Sequence, residues 1–246
     1  MAKSRRRQEA ALQNPTDIDE FSDNDLVSSL KIKKLNIKFR TEAQEKFWNL
    51  MGEKEISFCA GPAGTGKTHL AVAKSLDLIS REDTKCKRII LVKPVVEADE
   101  KLGALPGDVE EKLEPYTYAT FYLFEKILGK RKLEKLIERG YIRVMALAYM
   151  RGVNIDNSVL LFEEAQNSTK KQMKTLLTRI GENCKFIING DHEQSDRYKD
   201  HKDSGLYFAM DKLTDIPEIG IFEFKSEDIV RNPVISKILK KFNGDV

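Results

Sequence analysis

Residues 36–246 predict an α/β domain with a mostly parallel sheet and helices on both faces. Three observations carry this. Apolar runs of strand length alternate with longer segments of helical period, the rhythm of βαβ units. A glycine-rich segment, Gly61–Thr68, sits where one such strand meets a helix. A second apolar run ends on paired carboxylates, Glu163 and Glu164.

The elements follow in order. A helix is expected over Thr41–Met51, then a strand over Ile56–Ala60 that runs into the glycine-rich segment, then a helix over Lys67–Ile79. Arg88–Lys93 is the next strand, followed by helices over Asp108–Leu128 and Lys132–Glu138. Strands at Ile142–Leu147 and Val159–Phe162 precede a helix over Ser168–Ile180. Strands at Phe186–Asn189 and Ile221–Phe224 flank a helix over Gly205–Leu213, and Pro233–Lys240 closes the pattern as a last helix.

Composition narrows the class further. The chain has 246 residues, 41% of them hydrophobic, enough for one good-sized core. No run approaches the roughly 20 apolar residues of a membrane span, so no membrane role is expected. Cys59, Cys86 and Cys184 are odd in number and lack Cys-x-x-Cys spacing, which argues against a disulfide framework or a zinc ribbon and for a reducing, cytoplasmic setting. Residues 1–35 are polar and segregated by sign, and read as a charged mobile arm. The net charge of +3 lies entirely in residues 1–10: Lys3, Arg5, Arg6 and Arg7 against Glu9 give 4 − 1 = +3, leaving residues 11–246 neutral. The basic start is followed by a polar, acidic stretch, so the pattern of a secretory signal is missing.

Gly61-Pro62-Ala63-Gly64-Thr65-Gly66-Lys67-Thr68 fits the P-loop pattern, in the strand–helix context that pattern requires. Glycines let the backbone curl so that successive N–H groups face phosphate oxygens at a helix N-terminus. Lys67 supplies a charge for the β- and γ-phosphates, and the Thr68 hydroxyl is a ligand for Mg²⁺. His69 closes the candidate nucleotide-binding run. Such a loop needs an acid on a neighbouring strand. Glu163 is the candidate on the metal side, and Glu164 the candidate that orients water. Two further clusters lie just past strand ends. Gln194, in the loop after Phe186–Asn189, could sense the γ-phosphate through its amide. Arg231, after the last strand, could touch phosphate of its own chain or a neighbour's.

Taken together, these segments resemble the PhoH family of P-loop ATPases. The resemblance rests on GPAGTGKT at 61–68, KPVVEADEKLGALPGD at 93–108, AYMRG at 148–152, EEAQN at 163–167 with QMKTLLTRIGEN at 172–183, GDHEQSD at 190–196 and IVRNP at 229–233. It implies a single RecA-like core similar to the first motor domain of superfamily 1 helicases, ATP as cofactor with Mg²⁺, ring-shaped homo-oligomers such as hexamers, and a link to RNA or single-stranded DNA. Lys67 and Thr68 then form the Walker A pair and Glu163 and Glu164 occupy Walker B. Gln194 with Asp191 corresponds to helicase motif III, and Arg231 to an arginine acting on the γ-phosphate from a neighbouring subunit. Gln44, in Arg40-Thr41-x-x-Gln44, resembles the adenine-reading glutamine of helicases. One position departs: the family has Asp-Glu in Walker B, this chain Glu163-Glu164. The extra methylene threatens metal geometry, so a binding or assembly module with vestigial hydrolysis is the alternative.

The partner is less legible. Tyr116, Tyr118, Phe121, Tyr122 and Phe124 could stack on bases, but helical spacing puts Tyr118, Phe121 and Tyr122 on one stripe and favours core. Lys170, Lys171, Lys174 and Arg179, like Lys130, Arg131 and Lys132, suit a basic patch or a solvated helix face equally. His192 and His201 match no ligand spacing.

Overall fold

Strand β1 (Ile56–Ala60) is buried at all five positions, the signature of a central parallel strand covered on both faces. The computed structural model describes residues 37–94, 109–191, 195, 197, 198 and 200–230. Five further strands accompany β1: β2 (Arg88–Lys93), β3 (Ile142–Ala146), β4 (Ser158–Phe162), β5 (Lys185–Asn189) and β6 (Ile219–Glu223). Their order in the sheet is β3-β2-β4-β5-β1-β6, and all five pairings are parallel.

The helices are α1 (Glu42–Glu53), α2 (Lys67–Ser80), α3 (Val109–Leu128), α4 (Lys130–Glu138), α5 (Lys170–Leu177) and α6 (Gly205–Lys212). Alternate strand residues divide the core. Cys59, Ile89, Leu91, Val159, Leu161 and Ile187 face one side, with Phe47 and Met51 of α1, Leu70 and Leu76 of α2, Phe124 of α3 and Leu133 and Leu136 of α4. Phe58, Ile90, Val92, Leu160, Phe162, Phe186 and Ile188 face the other, with Met173 and Leu176 of α5 and Leu206 and Met210 of α6. Helices thus cover both faces, as the sequence pattern predicts.

All six expected strands are present, each within two residues of its expected bounds. The helix expected over Ser168–Ile180 is shorter. Thr169 caps it: its hydroxyl accepts from the Gln172 amide while the Gln172 side chain accepts from the Thr169 amide. At the other end Ile180 leaves the helix to pair with Ile155. The aromatic stripe on α3 departs further from expectation. Phe124 is buried and Phe121 packs partly on the core, but Tyr118 is 70% and Tyr122 57% exposed. Periodicity placed them on one face of a helix; no neighbouring element among the described residues covers that face. The last expected helix, Pro233–Lys240, lies outside the described residues.

α1 is fastened to the P-loop side of the sheet by cations. Lys74 of α2 lies 4.4 Å from the Trp48 ring centroid, and Lys185 of β5 donates to the Gly52 and Lys54 carbonyls at 2.9 and 2.8 Å, where α1 ends.

Candidate nucleotide site

The site forms where β1, β4 and β5 end together. Parallel pairing matches Cys59 with Asn189 and Phe162 with Ile188, so Gly61, Glu163 and Asn189 emerge at the same edge. β5 alone separates the P-loop strand from the carboxylate strand.

Backbone conformation explains the glycines that matter most. Gly64 has φ 92° and Gly66 φ 91°, left-handed values that a Cβ would strain. Gly66 is the N-cap of α2, and its carbonyl accepts from Leu70 at 2.9 Å. Thr65 is buried, its hydroxyl 3.1 Å from the Pro62 carbonyl, so Pro62, Ala63 and Gly64 are held as a tight loop.

Lys67 folds back over this loop and donates to the Gly61 and Pro62 carbonyls at 2.6 and 2.8 Å. Burial lowers its pKa, and the negative charges of Asp191, Glu163 and Glu164 work against that. Burial likewise pushes the nearby Cys59 thiol well up, so it sits beside Lys67 uncharged. The first turn of α2 carries Thr68, whose hydroxyl donates to Glu163 Oε2 at 2.7 Å. The other oxygen, Oε1, accepts from Asn189 Nδ2 at 2.9 Å. Glu163 is 2% exposed, and burial raises its pKa despite those two hydrogen bonds and the Lys93 charge. The Glu163 side chain is therefore long enough to meet the P-loop threonine directly.

Glu164 differs from its neighbour in every respect. It is exposed, and its backbone is left-handed, φ 56° and ψ 35°. Its Oε2 accepts from Gln166 Nε2 at 2.8 Å, while Gln166 Oε1 accepts from the Asp191 amide at 3.0 Å. Gln166 lies in the EEAQN segment but the sequence assigns it no role, because a polar residue four positions past a strand does not show which backbone it will meet.

The remaining sequence candidates divide. Gln44 lies against the loop: its Nε2 donates to the Thr65 carbonyl at 2.9 Å and its Oε1 accepts from the Arg40 amide at 2.9 Å. At 5% exposed, it braces the P-loop from beneath. His69 is exposed on α2, its pKa lowered by partial burial and by the positive charges of Lys126 and Arg40. Gln194 and Arg231 lie outside the described residues, as does His192. Val230, which precedes Arg231, donates its amide to the Gly64 carbonyl at 3.0 Å, and its own carbonyl accepts from Arg40 at 3.3 Å. The basic side chains of Lys130, Arg131, Lys170, Lys171 and Lys174 are exposed, with Lys170 3.8 Å from Asp203, in keeping with a solvated helix face.

The donor set suits a nucleotide with a hard divalent cation. Left-handed glycines shape the loop, a hydroxyl and a carboxylate converge, and Asn189 Oδ1 is buried without a hydrogen-bond partner among the described residues. Thr68 and Glu163 would hold Mg²⁺ and the loop amides with Lys67 the phosphates.

Fold and site together define a P-loop nucleotide-binding α/β protein with a RecA-like strand order. Comparison with known proteins takes this one step further. The family model described as PhoH-like protein matches residues 36–243. A PhoH-like protein of Bacillus subtilis is 38% identical over 245 residues, covering 91% of this chain and 76% of that protein. A PhoH-like protein of Synechocystis is 36% identical over 206 residues, covering 84% and 62%. Protein PhoH of Escherichia coli K12 is 37% identical over 206 residues, covering 83% and 57%. The chain belongs to the PhoH family. It spans about three-quarters of the Bacillus relative's length and about three-fifths of the other two. Among solved structures, the Pif1 helicase of Candida albicans overlays with a TM-score of 0.40 at 13% identity, covering 83% of this chain and 44% of that one. No helix among the described residues is long and apolar enough to cross a membrane.

Proposed function

We propose that the chain hydrolyses ATP with Mg²⁺, as a ring-forming homo-oligomer coupled to RNA or single-stranded DNA in a cytoplasmic setting. One observation carries the hydrolytic part: two adjacent carboxylates at the end of β4 are split between two environments. Glu163 is buried and bonded to Thr68, and Glu164 is exposed beside it. A buried, anchored carboxylate suits the metal side, and an exposed one suits a water.

Each residue then has a task. Lys67 leaves the Gly61 and Pro62 carbonyls for the β- and γ-phosphates, and the loop amides bind phosphate oxygens. Thr68 and Glu163 hold the metal, directly or through water, and the bound ion offsets charge on the phosphates. Glu164 orients the attacking water and accepts its proton. Gln194 is proposed as the γ-phosphate sensor and Arg231 as the arginine that meets developing charge. Val230 is fixed to the P-loop of its own chain, so a role for Arg231 within its own subunit competes with the role across a ring interface.

Glu163 also bears on the binding-only alternative. The extra methylene is accommodated by bonds to Thr68 and Asn189, which supports turnover. Phosphate release measured with and without single-stranded RNA and DNA tests the reading. Turnover should be stimulated by nucleic acid and vanish in Lys67→Ala. No stimulation by any strand would remove the coupling. Absence of turnover in both wild type and Glu163→Asp would leave the binding module.

A further inference from the structure

The ATPase reading leaves Gln166 without a task. We infer that Gln166 is a positioning residue that ties the water-orienting Glu164 to the end of β5, so that the carboxylate and the backbone at Asp191 move as one unit. This rests on the proposed hydrolysis at the site.

The geometry is specific. Gln166 is 1% exposed, and its amide has one end on each partner: Nε2 donates to Glu164 Oε2 at 2.8 Å, and Oε1 accepts from the Asp191 amide at 3.0 Å. The glutamine amide supplies a donor and an acceptor on one planar group of that reach. The glycine at 190 is required for it. A Cβ there would lie 2.8 Å from Gln166 Oε1, 3.0 Å from the Gln166 amide nitrogen and 2.3 Å from a Leu206 methyl. The chain thus keeps residue 190 small, and Gln166 reaches the backbone just beyond it.

The same link answers a backbone cost. A left-handed residue with a side chain costs about 1–2 kcal/mol, and strain of this kind collects where a side chain must be aimed. Glu164 is such a residue, with φ 56°. Its carboxylate, alone on an exposed turn, would sample many rotamers; the Gln166 bond restricts it. Glu163, one residue earlier, is bonded to Asn189 of β5 by a separate route. Both Walker B carboxylates are therefore joined to β5, one through Asn189 and one through Gln166. A change at the end of β5 thus reaches Glu164 through the Gln166 side chain and the Asp191 amide.

The test uses the full chain. Gln166→Met keeps length and burial but removes both hydrogen bonds. It should lower kcat about 10–100-fold, the range found for partners that orient catalytic ligands, while the KM for ATP changes little. Hydrogen exchange at the Asp191 amide should accelerate, a readout that needs no turnover. Gln166→Glu keeps the acceptor for Asp191 but sets a second carboxyl against Glu164. Asp191 exchange should therefore stay near wild type in this variant while kcat falls as in Gln166→Met. A Gln166→Met or Gln166→Glu enzyme with wild-type kcat overturns the role while hydrolysis stands. A wild type with no turnover sensitive to Lys67→Ala overturns the hydrolytic reading and this role together. Unchanged Asp191 exchange in Gln166→Met overturns the link itself.

Discussion

At the carboxyl ends of the strands Lys67, Glu163 and Asn189 are buried or half-buried and bonded to one another or to the P-loop. At the amino ends, the turns before β4 and β5 also use polar side chains and left-handed backbone. Asp156 Oδ1 accepts from the Glu182 amide at 2.8 Å, Asn183 Nδ2 donates to Asn157 Oδ1 at 2.9 Å, and Asn157 and Asn183 have φ 49° and 55°. The chemistry is similar and the setting is not. Asparagine tolerates left-handed backbone at little cost, and these amino-end groups are half-buried or exposed. At the carboxyl end the left-handed residue is a glutamate, and ionisable groups are held where burial disfavours their charge. One end closes turns; the other holds charge at an energetic cost that its hydrogen bonds and neighbouring charges only partly offset.

Substitutions should separate the two ends. The largest effect is expected for Glu164→Gln, which should cut kcat by about 10²–10⁴-fold, the usual contribution of general acid–base catalysis, with little change in melting temperature because the group is exposed. Rate and thermal melting on one preparation check this; equal kcat would remove Glu164 from the reaction. Gly181→Ala acts at the opposite end. A Cβ there would lie 1.9 Å from Asp156 Oδ1 and 2.6 Å from the Ile155 carbonyl, so the turn must shift. A loss of about 1–3 kcal/mol is expected with ATP affinity intact, each kcal/mol lowering Tm by about 2–4 °C.

Glu163→Gln should give the smallest effect, and one that depends on pH. Burial raises the Glu163 pKa in the folded chain above its unfolded value, so the folded state binds the proton more tightly and stability falls as pH rises through the folded pKa. The amide has no such penalty. The variant should melt above wild type at pH 8, and the difference should close as pH drops below the ordinary glutamate range. A constant difference across pH would mean that Glu163 is not the titrating group.

How legible this was in the sequence follows the range of the interactions. The P-loop residues and the strand ending in two glutamates are local patterns set by backbone needs, and they stand where expected. Strand bounds were readable because buried parallel strands are short apolar runs. Tyr118 and Tyr122 were misjudged because a 3.6-residue period assigns a face to a helix without saying whether anything packs on it. The early end of α5 follows from Ile180 pairing with Ile155, a contact between segments 25 residues apart in number. The contacts of Gln166 and Val230 were silent for the same reason: their partners, Asp191 and Gly64, are brought near only by the strand order.

The hydrogen bond from Val230 to Gly64 gives the chain a mechanical property. β6 is an edge strand, and the segment that leaves it crosses to the phosphate loop before continuing to residue 231. A displacement of Val230 acts on two hydrogen bonds at once, its amide on the Gly64 carbonyl and the Arg40 side chain on its own carbonyl. Whatever shifts Val230 is thereby passed to the loop at Gly64 without travelling through the sheet.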